Sequence, residues 1–254
     1  MLNVLGRVPL VAPLLRKIAR WYPEGSITTI KSGRAKGMKW RRYHRYVNGY
    51  WVGTYELPLQ EAIWRLLKPG DVFYDVGANA GFFSLIAARA VGPTGRVVAF
   101  EPEPSNAACI AEQLRLNELP QCHVVQKAVG DKSSTMIFRR GDDSSTGRLI
   151  AEGERLPADI AVPVITLDGF AGEGNEIPDL VKIDVEGAEV EVLQGAQRLL
   201  RSPAPPKLLI EIHPGRASPI GDLLTDAGYL LHQPNGDTWS PAKGSRHVLG
   251  LRQK

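Results

Sequence analysis

Four carboxylates stand where strand-like runs of the sequence end, and this position is typical of a ligand-binding edge. Asp75 lies near the end of DVFYDV, Glu101 ends RVVAFE, and Asp184 ends LVKID. Glu211 holds the same position in KLLIE. In an open α/β sheet the ligand binds outside the carboxyl ends of the strands. Carboxylates at that edge attract cationic groups, accept hydrogen bonds from hydroxyls and take up protons.

The turn after Asp75 contains two glycines, Gly77 and Gly81, around Asn79. A strand, a glycine turn and a helix together hold nucleotide cofactors at a sheet edge. The dinucleotide form of this turn has a third glycine and brings a pyrophosphate onto the helix N-terminus. A carboxylate at Asp75 would repel a pyrophosphate but attract an ammonium group. S-adenosylmethionine carries an ammonium and a sulfonium where NAD carries phosphates, so this turn favours S-adenosylmethionine.

Glu101 supports an adenosine ligand independently of the glycine turn. It lies twenty residues after Gly81, and an acid at the end of the second strand accepts both hydroxyls of a ribose. NAD-dependent enzymes use the same device, so Glu101 does not distinguish the two cofactors. Asp75 and Glu101 also have a structural alternative, as ordinary strand-end or helix-end charges.

The chemistry is predicted to lie at two later strand ends. Glu211 and His213 share one strand face, because side chains alternate along a strand. If this strand neighbours that of Asp184, a base or a site for a hard cation forms there. We expect an acceptor hydroxyl near Asp184 and His213. The catalytic set would be His213 as the base, with Asp184 and Glu186.

A divalent cation such as Mg²⁺, bound by Asp184 and Glu211, is another means of activating that hydroxyl. The sequence leaves the need for a metal open. Structural alternatives stay open as well. Glu186 and Glu189 lie in a first helical turn, where acids complement the helix dipole. His213 would then be a hydrogen-bonded residue at a strand end.

From about residue 71 the chain alternates strand and helix patterns, which predicts a parallel sheet with helices on both faces. The predicted strands are 71–76, 96–101, 122–128, 179–185 and 207–213, and the predicted helices are 80–91, 105–117, 187–201 and 217–227. Further strands near 134–139 and 160–167 interrupt the alternation, and the tail predicts two more. We expect an α/β, Rossmann-like, doubly wound sheet at residues 59–254, preceded by an extension at residues 1–58.

The extension is strongly basic. Residues 1–50 contain 11 Lys and Arg and one acid, Glu24, whereas the rest of the chain contains 20 bases and 26 acids. A basic arm suggests an anionic partner such as a membrane surface, an acidic saccharide or a nucleic acid. Residues 2–20 have apolar side chains at helical spacing. They either lie on a membrane or pack against the domain.

The composition, 43% hydrophobic and 23% charged, is ordinary for a globular protein. No apolar run approaches the roughly 18–20 residues that span a bilayer. The start lacks the basic segment and the cleavage site of a secretory signal. We therefore expect a cytoplasmic protein, peripheral at a membrane if residues 2–20 bind one.

Seven stretches of this sequence, taken in order, resemble the FkbM family of S-adenosylmethionine-dependent methyltransferases. They are GTYE (53–56), KPGDVFYDVGANAGFFS (68–84), VVAFEPEPSN (97–106), AVGD (128–131), ITLD (165–168), PDLVKIDVEGAEVEVLQGA (178–196) and EIHP (211–214). The resemblance covers about residues 50–214 and implies a class I methyltransferase fold with a seven-stranded sheet. It also implies O-methylation of a hydroxyl on a sugar, a glycan or glycolipid, or a polyketide-type product.

Carried onto this sequence, the family pattern implies a position for each part of the cofactor. The residues are Asp75, Gly77, Asn79 and Gly81 for the methionine end, Glu101 for the ribose, and the turn from Ala128 to Asp131 for the adenine. The acceptor would be a small molecule or a saccharide. The loop at 141–159 and the arm at 25–50 are predicted to shape its pocket.

Three other functions remain open at this point. An NAD-dependent oxidoreductase would use the same fold, although the carboxylate before the turn and the missing third glycine count against it. A nucleic-acid methyltransferase would use one face of the run KWRRYHRY, whose alternating side chains are Trp40, Arg42, His44 and Tyr46. The aromatic side chains Trp40, Tyr43 and Tyr46 have sugar stacking or a role in the core or a hairpin as alternatives, and the motif typical of base-amine methylation is replaced here by IDVEG. The third alternative is a protein without enzymatic activity, an interaction module that binds membranes.

Overall fold

A computed structural model describes residues 22–46, 48–139, 147–150, 156–244 and 246–252. Its strands, in chain order, are β1 (Ile27–Thr29), β2 (Lys39–Arg41), β3 (Val72–Val76), β4 (Arg96–Phe100), β5 (Cys122–Val125), β6 (Ala128–Val129), β7 (Ser134–Arg139), β8 (Arg148–Ile150), β9 (Ile160–Ile165), β10 (Leu180–Ile183), β11 (Lys207–Glu211), β12 (Leu230–His232) and β13 (His247–Leu251). Its helices are α1 (Leu57–Leu66), α2 (Phe82–Val91), α3 (Pro104–Leu116), α4 (Leu167–Gly172), α5 (Glu189–Gln194), α6 (Gln197–Leu200) and α7 (Ala217–Asp226).

Seven of these strands form one sheet in the order β12-β13-β11-β10-β3-β4-β5. Every pairing is parallel except the two made by β13, which runs antiparallel to β11 and β12. The chain moves outward from β3 to β4 and β5, and then returns to β10 on the other side of β3. The switch point of the sheet therefore lies between β3 and β10, where ligand-binding crevices form. The predicted doubly wound, mostly parallel seven-stranded α/β fold is confirmed.

Side chains of the main sheet alternate between two buried clusters, one on each face. Phe73 and Leu209 pack with α1, α2 and α3 on the first face. Tyr74 and Leu208 pack with α5, α6 and α7 on the second. Both faces are covered, which explains why the central strands read as continuous apolar runs. The same alternation places Asp75 on the first face, toward α2.

The extension packs into the first of these clusters. Strands β1 and β2 form an antiparallel ribbon. The rings of Trp40 and Tyr50 lie against Phe82 of α2, with centroids 6.1 and 5.2 Å apart. The boundary predicted between residues 58 and 59 falls inside α1, a helix that the sequence analysis did not predict. The described part of the extension therefore shares its core with the domain.

The alternation expected in KWRRYHRY ends after β2, because a turn follows at His44 and Arg45. Trp40 and Tyr46 are buried, with 1% and 7% of their surface exposed. They belong to the core and are not available to stack on bases or sugars. This corrects the expectation of one aromatic face in this run.

The predicted helix at 187–201 is divided into α5 and α6. Gly195 separates them and lies so close to the backbone of Gly130 that a Cβ would be 2.0 Å from its carbonyl oxygen. Gly130 follows β6, which belongs to a second sheet with the order β6-β9-β7-β8. The close approach of these two backbones requires glycine and interrupts the helix.

Some predictions lie outside the described residues, namely the helix at 2–20 and most of the loop at 141–159. Within the described ranges no helix is both long and apolar enough to cross a membrane. The expected cytoplasmic location and the contact of residues 2–20 with a membrane stay predictions.

Gly77 is the position where a methyl group should damage the fold most clearly. Its φ is 78°, and a Cβ would lie 1.8 Å from the carbonyl oxygen of Asp184. We expect Gly77→Ala to lower the free energy of unfolding by at least about 2 kcal/mol, or roughly 4–8 °C in Tm. Thermal melting measures this, with Gly172→Ala of α4 as the control because its nearest neighbour is the end of the Arg198 side chain at 3.6 Å. Equal melting temperatures for the two variants would contradict the close approach.

Candidate active site

The glycine turn lies at the switch point, between the carboxyl ends of β3 and β10. The backbone N–H groups of Gly77 and Ala78 donate to the carbonyl of Phe100 at 3.0 and 3.1 Å, which ties the turn to β4. Gly77, Asn79 and Gly81 have positive φ angles of 78°, 51° and 82°. The chain therefore winds tightly before α2 begins, and Asn79 stands at the crevice predicted for the cofactor.

Asp75 is fully buried under this turn. Its carboxylate accepts a hydrogen bond from Oγ of Ser84 at 2.6 Å and lies 3.2 Å from Nζ of Lys182. The sequence analysis assigned Asp75 to the ammonium group of a cofactor. The structure gives this carboxylate an ammonium group of the protein instead. Asp75 thus supports the turn, and its direct contact with a cofactor stays a prediction.

Lys182 connects the two sides of the switch point. It pairs with Asp75 in the register of β3 and β10. Its Nζ also lies 3.6 Å from Oδ2 of Asp184 and 3.4 Å from the carbonyl oxygen of Gly77. Burial alone lowers the pKa of Lys182, but the two carboxylates outweigh it and raise the pKa above its ordinary value. The charged ammonium therefore holds both carboxylates and the glycine turn, and these partners become visible only with the strand register.

Glu101 follows β4, where its carboxylate meets the glycine turn. Its two oxygens accept the backbone N–H groups of Asn79 at 2.8 Å and Glu103 at 3.0 Å. Burial raises the pKa of Glu101 to about 7, and these hydrogen bonds oppose the shift. A carboxylate offers about four lone-pair positions, and the amide of Asn106 uses a third at 3.4 Å, so Glu101 keeps acceptor capacity for one hydroxyl. The residues present thus fit the ribose of an adenosyl ligand.

Ala128 and Asp131 lie where the chain leaves the main sheet. Ala128 is buried in β6 beside β9, and Asp131 is exposed after it. The connection begins next to the ribose site, because the carbonyl of Val125 accepts the N–H groups of both Glu101 and Lys127 at 3.1 and 2.8 Å. The predicted adenine contacts of Ala128 and Asp131 stay predictions.

Asp184 directly follows β10, and its backbone N–H donates to the carbonyl of Val76 at 3.0 Å. Burial raises the pKa of Asp184 to about 7, Lys182 opposes the shift, and the carboxylates of Glu211 and Glu186 add to it. Its side chain remains 20% exposed. A carboxylate with a pKa near neutrality and access to the sheet edge is suited to take a proton from a hydroxyl.

His213 is held between two carboxylates. Its Nδ1 lies 2.9 Å from Glu189 and its Nε2 lies 3.1 Å from Glu186. The hydrogen bonds to Glu186 and Glu189 raise the pKa of His213 to about 10, although burial opposes them. Both ring nitrogens therefore carry protons at neutral pH, and the imidazolium has no position left to accept another. These contacts do not favour His213 as the base, and they make Glu189, an acid in the first turn of α5, a partner of His213 as well.

Glu211 does not join Asp184 as the predicted Mg²⁺ ligand. Its carboxylate accepts Nε of Arg246 at 2.6 Å and lies 3.5 Å from Nε2 of His247. Burial would raise the pKa of Glu211, but His247 and Arg246 hold it below its usual range. Asp184 belongs to a different group of side chains and has Lys182 beside it. Cations of the protein neutralise both carboxylates, so the pair does not fit Mg²⁺.

The segment before α1 brings side chains to this edge that the sequence analysis did not assign. The hydroxyl of Tyr50 lies 3.4 Å from Oδ1 of Asn79 in the glycine turn. Glu56 has a positive φ of 44°, and its carboxylate lies 3.7 Å from Nε2 of His247. The stretch GTYE, which contains Glu56 and belongs to the family resemblance, was the signal in the sequence for this position.

Comparison with known proteins agrees with this arrangement. A family model, the methyltransferase FkbM domain, matches residues 75–231, from the glycine turn to β12. The chain belongs to the FkbM methyltransferase family. It is an S-adenosylmethionine-dependent methyltransferase with the class I fold, and the alternatives of an oxidoreductase and of a non-enzymatic module are wrong.

The FkbM methyltransferase is similar to several curated proteins. Hexuronic acid methyltransferase AglP of Haloferax volcanii is 30% identical, over 66% of this chain and 73% of its own length. 2-O-methyltransferase NoeI of Sinorhizobium fredii is 25% identical, over 72% of this chain and 78% of its own length. AMB antimetabolite synthetase AmbE of Pseudomonas aeruginosa is 32% identical over 65% of this chain, but the match spans only 10% of that protein. A solved O-methyltransferase of Thermotoga maritima aligns with a TM-score of 0.48 at 12% identity, over 91% of this chain and 79% of that one.

Replacing Glu101 tests the ribose assignment. We expect Glu101→Gln to weaken S-adenosylhomocysteine binding by about tenfold or more, because it removes the charge from the hydrogen bond to the ribose. Calorimetric titration of S-adenosylhomocysteine and of NAD measures this, and NAD should not bind the wild type. The control is Glu176→Gln, which removes a carboxylate paired with Arg96 at the amino end of β4. Unchanged affinity in Glu101→Gln would remove Glu101 from the cofactor site.

The charge on His213 gives stability a defined pH dependence. The folded pKa of about 10 lies above the ordinary value of 6.5, so its stabilisation is complete below the ordinary value and is lost as the pH rises through about 10. The difference in unfolding free energy between wild type and His213→Gln should therefore be larger at about pH 6 than at about pH 10. Urea unfolding at both values measures this, with His123→Gln of the edge strand β5 as the control. If the difference in unfolding free energy between wild type and His213→Gln does not change with pH, His213 is not held as an imidazolium.

Proposed function

We propose that this FkbM methyltransferase transfers a methyl group to a hydroxyl of a sugar, alone or within a glycan or glycolipid. The supporting observation is Asp184, a partly exposed carboxylate with a pKa raised to about 7 at the switch point of the sheet. Two relatives support the acceptor class, because one is named a 2-O-methyltransferase and the other a hexuronic acid methyltransferase.

The residues at the glycine turn provide for the cofactor. When bound, S-adenosylmethionine supplies a methyl group activated by its sulfonium, whose sulfur keeps the electron pair of the broken C–S bond. Asn79 and the neighbouring backbone of the turn would hold the methionine end, and Glu101 would hold the ribose. Lys182 and Asp75 keep the turn in place from the first face of the sheet. Methyl transfer is an in-line displacement, so this fixed alignment supplies much of the rate.

Asp184 acts as the base in this proposal. An alcohol is a poor nucleophile, so its proton must leave as the new C–O bond forms. Asp184 takes that proton, and its pKa near neutrality balances ionisation against proton affinity. Glu186 stands beside it in a strained backbone conformation with a φ of 53°, fixed by His213. Its carboxylate is placed to position the acceptor.

A nucleic-acid acceptor has less support from the described part of the extension. Arg41 pairs with Glu112 at 2.7 Å, and Arg42 donates to Oγ of Ser26 at 2.8 Å. Trp40 is buried and packs against Phe82 of α2. Arg41 and Trp40 thus hold the extension to the domain, and Arg42 is engaged within the extension, which lowers the support for a surface that binds phosphates and bases.

The test is the pH dependence of methyl transfer in Asp184→Asn. We expect the wild-type kcat to rise with pH through about 7, as Asp184 loses its proton. Asp184→Asn should lower kcat by about 10²–10⁴-fold, because a positioned base contributes that much, and it should leave S-adenosylhomocysteine affinity near wild type. Formation of S-adenosylhomocysteine with sugar glycosides, with and without Mg²⁺, measures the rate.

The matched control is Asp222→Asn, an exposed change on α7. It should keep the rate and the pH profile of the wild type. Full activity in Asp184→Asn would remove Asp184 as the base. Activity that depends on added Mg²⁺ would restore the metal-assisted route.

A further inference from the structure

A second group of charged side chains lies next to Asp184 and joins three separate parts of the chain. Glu56 comes from the extension, where it precedes α1. Glu211 ends β11, and Arg246 and His247 come from the start of β13, where His247 pairs with Glu211 in the strand register. We call these four residues the Glu56 group.

Opposite charges alternate within the Glu56 group. Arg246 donates Nε to Oε1 of Glu211 at 2.6 Å and lies 4.0 Å from Oε1 of Glu56. His247 places Nε2 3.5 Å from Glu211 and 3.7 Å from Glu56. Two carboxylates thus face a guanidinium and an imidazole, and their charges largely cancel.

The Glu56 group is buried at Glu211, which we call its base, and exposed to solvent at Arg246, which we call its rim. The side chain of Glu211 is only 3% exposed, whereas that of Arg246 is 55% exposed. The side chain of Glu56 is 16% exposed, and its Oε2 is buried without a hydrogen-bond partner among the described residues. The rim therefore offers the guanidinium of Arg246 as a donor, with the partly exposed carboxylate of Glu56 beside it.

The Glu56 group stands beside the proposed base. Ile183 of β10 pairs with Ile210 of the parallel strand β11, so Asp184 and Glu211 follow at neighbouring strand ends. The carboxylates of Glu211 and Glu56 both help to raise the pKa of Asp184. Tyr55, which precedes Glu56, packs against Phe83 at the start of α2, with ring centroids 5.9 Å apart. The group thus lies beside Asp184, and the residue before Glu56 contacts the helix that follows the glycine turn.

We propose that the Glu56 group is the acceptor subsite and that it takes an uncharged sugar ring with adjacent hydroxyls. A hydroxyl donates to a carboxylate and accepts from a guanidinium, so neighbouring hydroxyls satisfy Glu56 and Arg246 together. A carboxylate on the ring would gain the guanidinium of Arg246 but would also face Glu56, Asp184 and Glu186, so like charges outnumber the opposite charge, and like charges at close range are costly. This inference rests on the proposed sugar O-methylation and narrows it to neutral acceptors.

Matched sugar pairs test this choice. The probes are the methyl glycosides of glucose, galactose and mannose and those of the corresponding uronic acids, which differ only in the oxidation of C6. We expect the wild type to methylate at least one neutral glycoside with a kcat/KM at least about tenfold above that of its uronic acid. Initial rates of S-adenosylhomocysteine formation at low glycoside concentration measure the ratio.

Glu56→Gln connects this preference to the subsite. The substitution should lower kcat/KM for the neutral glycoside by about tenfold, because a charge-assisted hydrogen bond is lost. It should also lower the ratio of kcat/KM for the neutral glycoside to kcat/KM for the uronic acid. Glu56 makes no side-chain cap on α1, so the helix should remain intact, which thermal melting checks. The control is Glu61→Gln on the same helix, where the carboxylate pairs with Arg34 at the surface.

The outcomes separate the two levels of the proposal. A preference for the uronic acid, or equal rates for Glu56→Gln and Glu61→Gln, would overturn the neutral subsite while sugar methylation stands. If the enzyme binds S-adenosylhomocysteine but methylates none of the glycosides, sugar methylation itself fails and the subsite fails with it. Arg246→Met is a second variant, expected to lose neutral-glycoside activity to a similar extent and to keep S-adenosylhomocysteine affinity.

Discussion

The ammonium group of Lys182, buried between Asp75 and Asp184, is the interaction on which the site depends. A buried charge without a partner costs several kcal/mol, so these three groups must come together when the chain folds. They do so only if β10 lies beside β3 with Lys182 opposite Asp75. That register creates the switch point and brings the glycine turn within 3.4 Å of the same ammonium. Strand pairing, turn geometry and the position of the proposed base therefore follow from one ion pair.

The carboxylates at this edge share one chemistry and differ in environment. Asp75 has no exposure and an ammonium beside it, so it supports the glycine turn. Glu189 is equally buried but holds His213, which in turn fixes Glu186. Asp184 alone of these four combines a pKa raised to about 7 with partial exposure. Carboxylates of one chemical type thus take different roles because their surroundings differ. Asp75 supports the turn, Glu189 orients His213, and Asp184 is suited to proton transfer.

The sequence predicted what local patterns encode. Acids at strand ends, the glycine turn and the alternation of elements located the edge and the doubly wound sheet. It did not predict contacts set by register or by long loops. The contact of Lys182 with Asp75 crosses to a neighbouring strand, and the contact of Glu189 with His213 spans 24 residues. The run KWRRYHRY was misread because a turn at His44 ends the strand whose alternation was assumed.

The basic charge of the extension also takes its meaning from distant contacts. Arg34 pairs with Glu61 of α1, and Arg41 pairs with Glu112 of α3. Each pair joins the positive extension to a helix of the mildly acidic domain. Surface pairs add little stability individually, but they orient the segment that ends at Glu56. In these two pairs the charge asymmetry of the chain serves to dock the extension, and docking places Glu56 beside the site.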